Sequence, residues 1–318
     1  MKTIYFAGGC FWGMEKLFAS LNGVIVTKVG YANGDTKIKP TYELVKTNLT
    51  GYKETIKIDY NEEKISLVSL LYIFFDVIDP TLKDQQGNDI GTQYQTGIYY
   101  IDEESKKTIE DYVNLIKKNY KKFFVEVMEL ENFYLAEEYH QHYLDKNPHG
   151  YCHISLQKIA SYQDELVNPR NYSRPEDKIL KDNLSDLAYN VTQKAETEMP
   201  YTSIYSMNNK EGIYVDITTG EPLFSSKDKY ISSCGWPAFT KPIDNHVVNY
   251  YTDNSYNMTR TEVKSRVGNA HLGHFFTNDG ESPNGNRYCI NGAALRFIKK
   301  DDLEKEGYGY LLELFSQR

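Results

Sequence analysis

The sequence predicts two domains of different kinds: an α+β sandwich over residues 1–157 and a mainly antiparallel β domain with short N-terminal helices over 178–318, joined by a linker at 158–177. Three observations lead there. A chain of 318 residues is about twice the usual domain length. The first half alternates strand and helix periodicity. After a stretch where Pro169, Arg170, Asn171 and Pro175 replace that periodicity, the second half turns to short strands separated by turn residues. No internal repeat relates the halves.

Taken in order, Ile4, Tyr5, Phe6 and Ala7 form a strand, Gly8 and Gly9 a turn, and Met14, Leu17, Phe18 and Leu21 recur at helical spacing. The run Gly8 to Glu15 therefore places Cys10 where unpaired backbone N–H groups and the positive end of a helix favour thiolate over thiol. A strand follows at 23–31 and a turn at Asn33 and Gly34. Residues 52–60 alternate, with Glu54, Ile56, Ile58 and Tyr60 on one face. One carboxyl is thus on the oily face, where desolvation raises its pKa and lets it donate a proton near neutrality. Ser66 caps a helix that Asp79 and Pro80 end, and the loop at 81–95 is long enough to be functional. A strand at 96–101, an amphipathic helix at 103–120, a strand at 123–130 and a short helix at 136–144 complete this half. The first six elements follow the split βαβ order of a ferredoxin-like sandwich.

In the second half, residues 178–197 read as helices, and 212–217, 261–267, 287–291 and 294–298 as strands. Alternation puts Arg287, Cys289 and Asn291 on one face, where the guanidinium stabilises a thiolate, and sends Tyr288 and Ile290 to the core. His271 and His274 are candidate proton donors. Cys234, beside Gly235, Trp236 and Pro237, is a candidate second thiol.

Composition narrows the function. With 36 basic against 44 acidic residues the net charge is −8, and no basic stripe suits nucleic acid. The N-terminal apolar run is too short for a secretion signal and the stretch 67–75 too short to span a membrane, so a cytoplasmic protein without a membrane partner is expected. The 28 Tyr and 14 Phe imply filled cores and apolar pockets edged by hydroxyls. Cysteines at 10, 152, 234 and 289 form neither a disulfide framework nor a CxxC zinc pair, which leaves catalytic or redox thiols. His140 and His142 are two apart and share no helical face, so no metal is expected there.

The motifs Gly8-Gly9-Cys10-Phe11-Trp12-Gly13, Pro40-Thr41-Tyr42, Gly87 to Tyr94 and Asn147-Pro148-His149-Gly150-Tyr151-Cys152 resemble peptide methionine sulfoxide reductase A. Gly220-Glu221-Pro222-Leu223-Phe224, Cys234 to Phe239, His271-Leu272-Gly273-His274 and Arg287 to Asn291 resemble reductase B. The order A then B is that of the bacterial fused form. The resemblance implies reduction of the S epimer of methionine sulfoxide in the first domain and of the R epimer in the second. It implies Cys10 as the first nucleophile, Glu54 as its acid, Tyr42, Asp89 and Tyr94 around the sulfoxide oxygen, and Phe11 and Trp12 around the methyl group. In the second domain it implies Cys289 as nucleophile, His271, His274, Arg287 and Asn291 around it, and Trp236 at the methyl.

Attack at sulfur with proton donation to oxygen leaves a sulfenic acid that a second thiol converts to a disulfide. The implied resolving thiols are Cys152 for Cys10 and Cys234 for Cys289. Implied with them are an external dithiol, thioredoxin, as reductant, no bound cofactor, oxidised proteins and peptides as substrates, and a monomer. Two departures matter. No further cysteine lies between Cys152 and Cys234, and the CxxC pairs that hold zinc in many B enzymes are absent, so no metal is expected. The rival function is a thiol redox sensor, which needs a reactive thiol and a resolver but has no use for a methyl pocket or an inward acid; sulfoxide turnover separates the two.

Overall fold

A six-stranded mixed sheet organises the first of two units, Met1–Asp164 and Glu165–Arg318, in the computed structural model. The structure describes residues 1–163 and 166–316; residues 164 and 165, inside the expected linker, and 317 and 318 lie outside the described residues.

In the first unit β1 (Lys2–Ala7) leads through α1 (Phe11–Phe18) to β2 (Val24–Ala32), and α2 (Tyr42–Val45) precedes β3 (Lys53–Tyr60). Ser66 accepts the Ser69 N–H and so caps α3 (Leu67–Val77). The long loop holds a small hairpin, β4 (Gln85–Gln86) and β5 (Asp89–Ile90), and a 3-10 turn at Thr92–Tyr94. Buried amides fix its course. Gln86 bonds both backbone groups of Asp79, and Gln95 ties Asp84 N–H to the Phe124 carbonyl. Then come β6 (Gly97–Tyr100), α4 (Glu103–Ile116), β7 (Glu126–Glu129), β8 (Phe133–Leu135), α5 (Tyr143–Lys146) and α6 (Leu156–Gln163).

The strand order is β7-β6-β1-β3-β2-β8, parallel only between β6 and β7. Register sets Phe6 opposite Ile56 and Ile4 opposite Ile58, and Phe6 meets Phe18 of α1 and Phe74 of α3 at ring separations of 5.4 and 4.8 Å. Each such fully buried side chain contributes about 1.5–3 kcal/mol by leaving water. The helix expected at 136–144 is only the short α5. His142 sits at φ 51° in the left-handed region, and the Gln141 amide accepts the Val29 N–H and donates to the Val29 and Ala136 carbonyls, bonds that compete with a helical ladder. Strand β8, which pairs with β2, was hidden in a polar stretch.

The second unit opens with α7 (Asp177–Asn183) and α8 (Asp186–Lys194). Strands β9 (Gly212–Asp216), β10 (Pro222–Ser225), β11 (Lys229–Tyr230), β12 (Ala238–Phe239), β13 (Val248–Asp253), β14 (Arg260–Ser265), β15 (His271–Phe276), β16 (Arg287–Ile290) and β17 (Leu295–Lys299) follow. They make two antiparallel sheets, β10-β9-β17 and β11-β12-β16-β15-β14-β13. Tyr214, Phe224, Phe239 and Tyr288 fill the core, with Phe224 stacked on Phe239 at 4.5 Å. Register places Ala238 and His274 on either side of Cys289.

Candidate active sites

Cys10 is the N-cap residue of α1, 5 % exposed, and its thiol makes no capping bond. Glu54, 2 % exposed on β3, accepts the Phe11 N–H at 3.1 Å. Burial pushes the Glu54 carboxyl up to about 8, against the pull of that N–H, with Asp89 adding to the rise. Burial, and then Glu54, also push the Cys10 thiol well up. The helix start does not make a thiolate here, because desolvation outweighs the N–H groups of the first turn. At neutral pH the pair rests uncharged.

Around it stand Tyr42, Tyr94, Asp89 and Tyr151, each shifted upward by burial first; Glu54 and Cys10 act next on both Tyr42 and Tyr94. Glu137 fixes Tyr42 by accepting its backbone N–H at 2.9 Å and takes the Tyr31 hydroxyl with its other oxygen. Trp12 donates its indole N–H to Nδ1 of the buried His140 at 3.1 Å and stacks on Tyr143 at 3.8 Å. Phe11, 1 % exposed, packs with Tyr31, Val29 and Tyr52. Cys152 lies over the first turn of α1; a Cβ on Gly13 would come within 2.8 Å of its sulfur.

In the second unit Cys289 Sγ is 3.3 Å from Cys234 Sγ. A Cβ on Gly273 would meet the Cys289 carbonyl at 2.1 Å, so only glycine lets β15 come this close to β16. His274 bonds Asp253 at 2.7 Å and His271 bonds Glu262 at 2.6 Å, giving each imidazole a carboxylate. Arg260 also holds Asp253, at 2.6 Å, while its Nε is buried without a partner. Trp236 donates to the Glu198 carbonyl at 3.1 Å, and the Asn291 amide joins Glu198 N–H to the Leu272 carbonyl. A pocket of about 90 Å³ is lined by Trp236, Arg260, His274, Phe276, Cys289 and Asn291, among others.

Arg287, 4.8 Å over Phe276 and 3.6 Å from Asp279, is outside that lining, and its charge acts on both thiols. The two thiols are coupled through their contact. The hydrogen bond from Cys289 brings Cys234 down to about 6, while that bond and deeper burial push Cys289 up. The Arg287 guanidinium pulls both thiols down, Cys289 against its burial and the bond to Cys234.

Sequence reasoning gave no role to Tyr151, although it precedes Cys152, and weighed His140 only as a metal ligand. Asp253, Glu262 and Arg260 reach the histidines across strands, and only the alternation of Arg260 with Glu262 on β14 hinted at a shared face. Among the described residues no group of three or more His, Cys, Asp or Glu side chains is placed to hold a metal. The thiol set offers no CxxC pair to zinc.

Two units, each with a pair of thiols and a shell of proton-bearing side chains, define a two-centre thiol oxidoreductase. The peptide methionine sulfoxide reductase family model matches residues 2–170, and the SelR domain, the B-type reductase, matches 184–299. The chain belongs to the peptide methionine sulfoxide reductase family as a fusion of an N-terminal A enzyme and a C-terminal B enzyme. It reduces methionine S- and R-sulfoxides. It is similar to Mxr1 from Saccharomyces cerevisiae in reduced form, at 36 % identity over 49 % of this chain and 91 % of that one with a TM-score of 0.47. Similar too is methionine sulfoxide reductase A of Corynebacterium diphtheriae, at 35 % identity over 48 % and 77 % with a TM-score of 0.45. A complex of the yeast protein with Trx2 matches at 24 % identity over 45 % and 84 %, TM-score 0.32. No helix among the described residues is long and apolar enough to cross a membrane.

Proposed function

We propose that Cys10 reduces the S epimer and Cys289 the R epimer, each through a sulfenic acid resolved within its own domain by Cys152 or Cys234. The observation that carries this reading is Glu54, a neutral acid bonded to the backbone one residue beyond Cys10. A sulfoxide becomes electrophilic at sulfur when its oxygen is protonated. Glu54 gives its proton to that oxygen and takes the Cys10 proton as sulfur attacks sulfur. Oxygen then passes to Cys10, and methionine leaves: thiol plus sulfoxide gives sulfenic acid plus thioether, with no net proton.

Tyr42 and Tyr94, kept protonated by burial, donate to the same oxygen. Asp89 joins them only as the neutral acid. Trp12 and Phe11 face the methyl group. In the second domain His274 on Asp253 and His271 on Glu262 supply the proton, Arg287 and Asn291 order the site, and Trp236 contacts the methyl.

Both disulfides return to thiols by exchange with an external dithiol, in our reading a thioredoxin, since the chain has no CxxC reductant of its own. We read the substrates as oxidised proteins and peptides, the protein as a cytoplasmic monomer without bound cofactor, and 158–177 as the join between domains 1–157 and 178–318. The first is read as a ferredoxin-like sandwich extended by two strands, with β6-β1-β3-β2 as its four-strand core.

The test is each pure epimer with wild type, Cys10→Ser and Cys289→Ser under excess dithiol. Cys10→Ser is expected to lose only S-epimer reduction and Cys289→Ser only R-epimer reduction; loss of both from either change contradicts independent centres.

A further inference from the structure

Closing the disulfide poses different problems in the two domains. Cys234 is already in the thiolate range beside Cys289, whereas burial, with Asp89 adding to it, pushes the Cys152 thiol up. Attack by Cys152 therefore needs a group to take its proton.

His153 is next in the chain, and its ring lies in a cradle of two glycines. A Cβ on Gly13 would come within 2.8 Å of Cys152 Sγ and 3.4 Å of His153 Nδ1. A Cβ on Gly9, the neighbour of Cys10, would come within 3.4 Å of His153 Nε2. Nδ1 thus lies over Gly13, which Cys152 Sγ also covers, and Nε2 over Gly9, the residue before Cys10. Both nitrogens are shut off from solvent and neither makes a hydrogen bond of full geometry, although the Gly8 backbone is near enough to favour the charged ring. Buried polar atoms left unpaired cost stability, so such a pair calls for a partner that arrives during the cycle. Burial also holds the imidazole down to about 4, neutral and with one nitrogen free to accept.

We infer that His153 shuttles the proton in closure of the Cys10–Cys152 disulfide: Nδ1 takes it from the Cys152 thiol as that sulfur attacks the Cys10 sulfenic acid, and Nε2 gives its own to the departing hydroxyl. One S–S and one O–H bond form, and one S–O and one S–H bond break. Water leaves, Cys10 is reduced and Cys152 oxidised by the same amount, and no outside oxidant enters. A weakly basic ring suits a shuttle, since the proton it gains is passed on at once.

The inference rests on Cys10 as nucleophile and Cys152 as resolver. Wild type, His153→Asn and His153→Gln are each mixed with a small excess of S-epimer peptide without reductant. Methionine release, loss of free thiols and dimedone-trapped Cys10 are followed from pH 6 to 8. Expected is closure about 100-fold slower in both variants, with trapped sulfenic acid accumulating. Variant closure should also rise about tenfold per pH unit, because it now waits for Cys152 to ionise, while wild type stays nearly flat. Closure within twofold of wild type with the same pH profile overturns the inference, as does methionine release slowing in equal proportion, which marks a packing role. If wild type itself forms no Cys10–Cys152 disulfide, the pairing is what fails.

Discussion

A Glu54 carboxyl oxygen accepts the Phe11 N–H at 3.1 Å, so the proposed acid is tied to the turn of backbone that carries Cys10, the proposed nucleophile. With its proton held to about pH 8, Glu54 is expected to give S-epimer reduction that is level through neutrality and falls as pH rises through about 8. Glu54→Gln keeps the acceptor for Phe11 but cannot pass a proton; a loss of about 10²–10⁴-fold in S-epimer kcat is expected, with R-epimer turnover in the same sample unchanged.

The same carboxyl has a stability signature. Raised when folded and near the usual value when unfolded, it binds more protons in the native state, so its stability is fully present below about pH 4 and is lost as pH rises to about 8. Glu54→Gln removes that loss. Thermal unfolding should therefore favour the variant at pH 9 and show the gap closing toward pH 5; a gap independent of pH would mean that Glu54 is not buried as an acid.

In the second centre Cys234 and Cys289 are 3.3 Å apart, and their contact brings Cys234 down and, with burial, pushes Cys289 up. Iodoacetamide at pH 7 followed by peptide mapping is expected to mark Cys234 ahead of Cys289. In Cys234→Ser the largest influence raising Cys289 is gone, so the pH midpoint for labelling Cys289 should move down. Preferential labelling of Cys289 in wild type would reverse the assignment.

How far the sequence discloses this chemistry depends on the range of each contact. Cys10 at a helix start, Glu54 on an inward face and the row of Arg287, Cys289 and Asn291 follow from periods of 3.6 and 2, which are local. The charge states do not follow: a thiol's exposure depends on what the whole fold lays over it, and at Cys10 that reverses the expected effect of the helix start. Asp253 and Glu262 were invisible as partners because their meetings with His274 and His271 are set by the pairing of β13, β14 and β15, with a bulge between Val263 and Lys264. The Gln141 amide that breaks the expected helix likewise bonds a strand far back in the chain.

The Asp253–His274 bond sets a further expectation. Burial lowers the His274 pKa and Asp253 works against it, while Asp253 itself, despite burial, is held low by Ser255 and His274. Asp253→Asn removes the opposing charge, so His274 should lose its proton at lower pH. The alkaline limb of R-epimer kcat should move to lower pH by about one unit, and S-epimer reduction should not respond. An unmoved limb would take His274 out of the proton path.

Gly13 offers a test in which helix propensity and function pull apart. It lies inside α1, where alanine is preferred by about 1 kcal/mol. Its added methyl would nevertheless fall 2.8 Å from Cys152 Sγ, closer than carbon and sulfur can approach, and 3.4 Å from His153 Nδ1. Gly13→Ala must therefore move Cys152 away from the turn that carries Cys10. Rapid quench is expected to show the first equivalent of methionine released at close to the wild-type rate, followed by disulfide closure slowed about tenfold or more, as a misplaced reacting group incurs. Steady-state turnover with thioredoxin should then be limited by closure, and unchanged closure would show that Cys152 reaches Cys10 by another path than across Gly13.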